Sequence, residues 1–180
     1  MGKAEVYFDF EGRETDCPWI DLIWRTQSNQ AGTFTSTATT HWEMVITSYQ
    51  GETDITLRGP ETKASLAPYP ADTEFFGIQF KWGAFMPHLP TSSLADDSLT
   101  FPAASNGAFW LNSETWDLPD YQNVEAFVDR LLRNGLLVHD PIVEAALHNQ
   151  PHDLSLRFQL PRDRDRVPRH RALEFRKVGS

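Results

Sequence analysis

His41 and Glu43 stand two residues apart in a stretch of alternating character, so on a strand both point to the same face, the geometry that two metal ligands would need. A metal centre needs at least a third ligand. The β region around them holds no other histidine, and His88 lies in the loop that follows. The pair therefore reads as polar and outward-facing, and neither a metal nor any other cofactor is expected. Cys17, the single cysteine, precedes Pro18 with no His or Lys close in sequence to activate it, so it reads as a small buried hydrophobe. There is no G-x-S-x-G elbow. No residue earns a catalytic role, and the chain is not expected to be an enzyme.

Aromatic side chains offer binding rather than turnover. Trp24, Trp42, Phe76, Phe80 and Trp82 share strand faces with Leu22, Met44 and Ile78 on period-2 spacing, and all can line one barrel interior. Barrels of this size either fill with side chains or hold one small ligand. Arg58, near a strand end, can orient an anionic or polar effector at the rim. Trp24, Trp42, Arg58, Phe80 and Trp82 are the candidate ligand-binding residues.

The elements that must position them are short strands. Val6 to Phe10 is the first, followed by Ile20, Leu22 and Trp24 alternating with more polar neighbours. Thr33 to Thr40 is Thr-rich and suits an edge strand. Trp42, Met44 and Ile46 point one way while His41, Glu43 and Thr47 point the other. Gln50-Gly51 turns the chain into Ile55 and Leu57 as a hairpin. Phe76, Ile78, Phe80 and Trp82 give the clearest alternation. With no helical pattern between these strands, an antiparallel sandwich or small barrel is expected. Residues 84–119, broken by prolines, read as loops and short helical turns.

A helix follows, capped by Asp120 or Asn123 and ended at Gly135. Val124, Phe127, Val128, Leu131 and Leu132 form its apolar stripe, which either packs on the β structure or forms a seam between two copies. Asp140-Pro141 opens a second helix with Ile142, Val143, Ala146 and Leu147 on one face. The fold class expected is mainly β (α+β), with a small antiparallel barrel followed by C-terminal helices.

Charge is uneven. Residues 1–150 carry 8 Lys+Arg against 21 Asp+Glu, whereas 151–180 carry 8 against 4. An acidic body repels phosphate backbones, which points to a sensor or partner surface rather than a nucleic-acid surface. The lone cysteine favours a reducing compartment. No run reaches the roughly 18 apolar residues of a membrane span, so a cytoplasmic protein with no membrane contact is expected.

Several stretches together resemble the AraC/XylS family of bacterial transcriptional regulators. They are His41-Trp42-Glu43-Met44-Val45-Ile46, Arg58-Gly59-Pro60-Glu61-Thr62-Lys63, Phe75 to Phe85, and the run from Tyr121 to Leu147. The resemblance covers roughly residues 5–157. It implies a cupin-like sensor and dimerisation domain over 1–138 that takes a small-molecule effector and forms a homodimer, with Val124, Phe127, Val128 and Leu131 as the seam. It implies that 139–157 begins a helix-turn-helix, with Ser155 and Arg157 at the start of the DNA-reading helix.

The family pattern then stops. Pro161 and Pro168 interrupt any recognition helix, and 158–180 reads as a basic, disordered tail. A frameshifted or truncated end would explain the abrupt change, and specific DNA binding is not expected in this form. Two alternatives compete with an effector-sensing region: a stand-alone cupin-like binding protein or metal-dependent enzyme, and a truncated regulator that acts by mixed dimerisation.

Overall fold

Strands with one apolar and one polar face can bury only the first, so the sheet they build needs a cover on that side. The computed structural model describes residues 10–140 together with 142, 143 and 146, and it is mainly β with antiparallel sheets. β1 (Glu11–Arg13), β2 (Ile20–Ser28), β7 (Thr73–Phe80), β4 (Glu43–Tyr49), β5 (Glu52–Arg58) and β9 (Ser98–Thr100) lie side by side in that order. By hydrogen bonding this sheet is open, with β1 and β9 as its edges. Three two-stranded ribbons flank it: β3 (Gly32–Ser36) with β6 (Ser65–Tyr69), β10 (Ala108–Leu111) with β11 (Glu114–Asp117), and β8 (Ala84–Phe85) with β12 (Val138–His139). α1 (Thr91–Leu94) is a single turn and α2 (Val124–Arg133) is the longest described helix. Among the described residues no helix is long and apolar enough to cross a membrane.

The expected hairpin is present. Gln50 and Gly51 have φ of 52° and 84°, the type I′ pair whose twist matches the strands, and this sets Tyr49 opposite Glu52 and Glu43 opposite Arg58. From that register a cross-strand row runs Ile23, Ile78, Met44 and Leu57 over β2, β7, β4 and β5. All four side chains are 0% exposed. Their cover comes from Phe109, Leu111 and Trp116 of the β10–β11 ribbon and from Val124, Phe127, Val128 and Leu131 of α2, in one continuous core.

Three expectations need correction. First, Ile20, Leu22 and Trp24 do not share a face. The pairing of β2 with β7 shifts between Ile20 and Leu22, and such an irregularity reverses the parity of every residue after it. Ile20 and Ile23 go into the core, while Leu22 and Trp24 lie half-buried on the other side. Second, residues 84–119 contain four strands besides the helical turns. Each has two to four residues, too few to show a period, and the β10–β11 turn uses Asn112-Ser113 with φ of 50° and 66° in place of an Asn-Gly pair. Third, Val124, Phe127, Val128 and Leu131 are at most 8% exposed within the chain's own core, so they are not available as a seam between copies.

α2 begins where the Asp120 carboxylate accepts the N–H groups of Gln122 and Asn123. It ends at Gly135, whose φ of 65° lets its N–H reach Leu132 and that of Leu136 reach Leu131. A charged clamp ties its first turn to β1. Arg13 donates to both oxygens of Glu125 at 2.5 and 3.1 Å and to the Tyr121 carbonyl at 2.8 Å, and Thr15 adds a hydroxyl at 2.8 Å. The Arg13 hydrogen bonds hold the Glu125 carboxyl at about 2, below its ordinary 4.5.

Replacing Ile78 by Asp is expected to unfold the domain, since an unpaired charge in the central row costs several kcal/mol of a typical total of about 5–15; loss of the cooperative circular-dichroism melt is the readout. The Arg13–Glu125 clamp contributes fully above pH 4.5 and fades as the pH falls toward 2. Both side chains are about a third exposed. Glu125→Gln should therefore lower neutral-pH stability by only about 1 kcal/mol and flatten the acid limb of a urea-melt series over that window.

Candidate functional site

The half-buried face of the sheet carries Leu22, Gln79, Glu43 and Arg58 in one row and Trp24, Gly77, Val45 and Thr56 in the next. Gly77 lets the Trp24 indole lie against the sheet, because a Cβ there would come within 2.1 Å of the ring. Phe10 stacks on the outer side of that ring, with centroids 5.5 Å apart. The indole N–H donates to Glu43 at 2.6 Å, and the other Glu43 oxygen lies 3.7 Å from Arg58. Arg58 donates to Glu61 at 2.6 Å and to the Ser36 hydroxyl at 3.0 Å, and Ser36 donates to Glu61 at 2.9 Å. Burial pushes the Glu43 carboxyl up, against the indole hydrogen bond and the Arg58 charge, with Glu61 adding to the rise.

This network joins ribbon strand β3 to the sheet. It also corrects the expectation for Trp24 and Arg58 as ligand groups. The indole is packed between Gly77 and Phe10, and the guanidinium already has two carboxylates. An anionic effector would have to displace one of them.

Trp42, Phe80 and Trp82 go elsewhere. Trp42 follows the parity of Met44 and is 4% exposed, Phe80 is 0% exposed, and Trp82, just past β7, is 42% exposed. The five expected ligand residues therefore do not converge. Two of them do: Trp42 and Trp82 border one pocket of about 470 Å³, shared with Thr40, Phe85, Asp140 and Val143.

Local hydrogen bonding explains why these residues meet. The chain reverses at Gly83, φ 85°, and enters β8, which pairs with β12 so that Ala84 faces His139 and Phe85 faces Val138. The Asp140 N–H bonds the Gly83 carbonyl at 2.8 Å, and the Asp140 carboxylate accepts the Ile142 N–H at 2.8 Å. Residues 142 and 143 are helical. The start of the next helix is thus fixed to the end of the sheet. Two histidines flank Trp82: the His41 ring is 5.4 Å from the indole and bonds the Phe80 carbonyl through Nδ1 at 2.7 Å, and His139 Nε2 lies 3.0 Å from the Trp82 carbonyl.

Comparison of the chain with protein-family models, curated proteins and solved structures finds no match.

The pocket's chemistry has to be taken from its own walls. Two indoles, Phe85 and Val143 form an apolar surface, and Asp140 places a carboxylate at its edge. Such a lining suits a small flat or aliphatic molecule with a hydrogen-bond donor. His41 and Glu43, the pair considered for a metal, serve separate partners, and among the described residues no three His, Cys, Asp or Glu side chains gather as a metal site would require. Cys17 lies half-buried beside the core.

Thr40, Phe85, Asp140 and Val143 carried no sequence signal as pocket residues. Asp140 was legible as a helix cap, but its attachment to the sheet depends on the β8–β12 pairing, two residues long on each side. Ser155, Arg157, the tail 158–180 and most of the strand expected over Val6 to Phe10 lie outside the described residues.

Glu43→Ala should cost about 1–3 kcal/mol in thermal unfolding, because the indole N–H of Trp24 loses its acceptor. Glu43→Gln keeps an acceptor and removes a buried charge whose cost grows as the pH rises above 4.5. That variant should match or exceed the wild type at neutral pH and lose the advantage in acid. Equal destabilisation by the two substitutions would contradict this account.

Proposed function

We propose that this chain is the effector-sensing region of an AraC-type transcriptional regulator, with the pocket between Trp42, Trp82 and Asp140 as its effector site. One observation carries the proposal: the pocket's walls come both from the end of the sheet and from the first turn of the helix that follows Asp140. In the family this chain resembles, that helix opens the helix-turn-helix. A small molecule touching Trp82 on one side and Val143 on the other binds one placement of the helix better than another, and that difference is what shifts a population of states. Binding, not turnover, is the activity assigned, and the cupin-like barrel and cytoplasmic location belong to the same proposal.

Self-association belongs to it as well, but through surfaces other than the buried side of α2. The outer side of that helix, where Asp129 pairs with Arg133, is one surface free of the core. Specific DNA recognition is not assigned to this form, because Pro161 falls six residues after Ser155 in the segment that would have to continue as a recognition helix.

A panel of small aromatic and aliphatic metabolites, read by indole fluorescence and melting temperature, tests the effector site. Trp82 is 42% exposed, and the ligand-free melt of each variant serves as the reference for its own ligand-induced shift. A ligand is expected that raises the wild-type melting temperature by mass action and binds at least about tenfold more weakly to Trp82→Ala and Val143→Ala. No ligand in the panel, or one whose affinity both variants retain, would refute the pocket as the effector site.

A further inference from the structure

Away from the junction pocket, toward the Tyr49 end of β4, the core side of the sheet continues past its cover. The register aligns Gln27, Glu74, Ser48 and Thr53 in an outer cross-strand row, with Arg25, Phe76, Ile46 and Ile55 in the row just inside it. The segment 118–121 stands beside these rows and leaves a groove of about 640 Å³, within the range of small-molecule sites. Ile46, Phe76 and Leu118 give it apolar walls.

The charged groups around the groove are not equivalent. The Arg25 guanidinium donates to Glu11 twice, at 2.8 and 2.5 Å, and lies 4.6 Å from the centre of the Tyr121 ring. Asp120 is occupied by the N–H groups that start α2. The Glu74 carboxylate makes no hydrogen bond or ion pair with any described residue. With Glu11 and Arg25 cancelling, the lining keeps two negative charges, Asp120 and Glu74; Glu74 feels the Arg25 charge through space but is the one of the two whose carboxylate carries no hydrogen bond or ion pair. The Tyr121 hydroxyl, buried at the groove wall, also has no partner among the described residues.

We propose that this groove binds a small organic cation, an ammonium carried on an aromatic or alkyl body, with Glu74 as its counter-charge and Phe76, Ile46 and Leu118 against the body. The charge of the lining disfavours an anion of the same shape, and its apolar walls favour a ligand with a body over a bare ion. The site shares no residue with the junction pocket, so it holds or falls independently of the sensing role.

Isothermal titration calorimetry with phenethylammonium as the probe tests this, with phenylacetate and 2-phenylethanol as its anionic and neutral counterparts. The wild type should bind phenethylammonium and discriminate against both counterparts. Glu74 is exposed, so Glu74→Gln should fold normally, and it should weaken the probe by about tenfold or more, the loss of one charge-assisted contact. Trp82→Ala should bind the probe as the wild type does. The proposal is overturned if phenethylammonium does not bind at millimolar concentration, if Glu74→Gln binds it equally, if phenylacetate binds as well, or if Trp82→Ala abolishes binding and so moves the site to the junction.

Discussion

A row of four aliphatic side chains across four strands, Ile23, Ile78, Met44 and Leu57, forms a surface that water cannot be left to cover. At about 25 cal/mol per Å² of apolar area, burying such a row gives the sheet a strong preference for any element that can lie across it. The β10–β11 ribbon and α2 meet that need with Phe109, Trp116, Phe127 and their neighbours. The position of α2 then determines much else. Its start fixes the segment 118–121 and the Arg13–Glu125 clamp, and its end, capped at Gly135, sends the chain back to β12 and the sheet.

The two faces of the sheet have been put to different use. One is an apolar contact across its central row and turns polar only toward the Tyr49 end of β4. The other places a Trp, two carboxylates, an Arg and a Ser in one hydrogen-bonded network between the sheet and ribbon strand β3. A half-buried network of this kind is costly when incomplete, because removing one partner leaves another without its bond in a poorly solvated place. That is why Arg58, which as a sequence feature looks like a waiting anion site, is an internal tie. The groups that remain open to ligands lie at the two ends of the sheet, where cover by α2 and the ribbons stops.

The pocket at Trp42 and Trp82 owes its existence to a small piece of pairing. β8 and β12 hold two residues each, yet they bring Asp140 to the Gly83 carbonyl and set the following helix against the indoles. Contacts of that size can be made and broken for little free energy, and in the proposed sensing role a ligand held partly by the helix would add to them. Elements that move in response to binding are drawn from the less stable parts of a structure.

Much of the fold was legible from residue order. The Gln50-Gly51 hairpin, the alternation in β4 and β7, the α2 stripe and its Gly135 cap all depend on neighbours within a few positions, so local spacing determined them. Charge placed the acidic excess in the body, and the scarcity of histidine around His41 argued against a metal. Which face each aromatic occupies did not follow from spacing. A shift of register within β2 carried Trp24 away from Ile20, and only the pairing with β7 reveals it. The strands between 84 and 119 were too short to carry a period, and their partners lie tens of residues away. The two pockets are products of that long-range pairing: Trp82 and Asp140 come to line one, and Glu74 and Tyr121 the other, because the tertiary structure decides which local elements become neighbours.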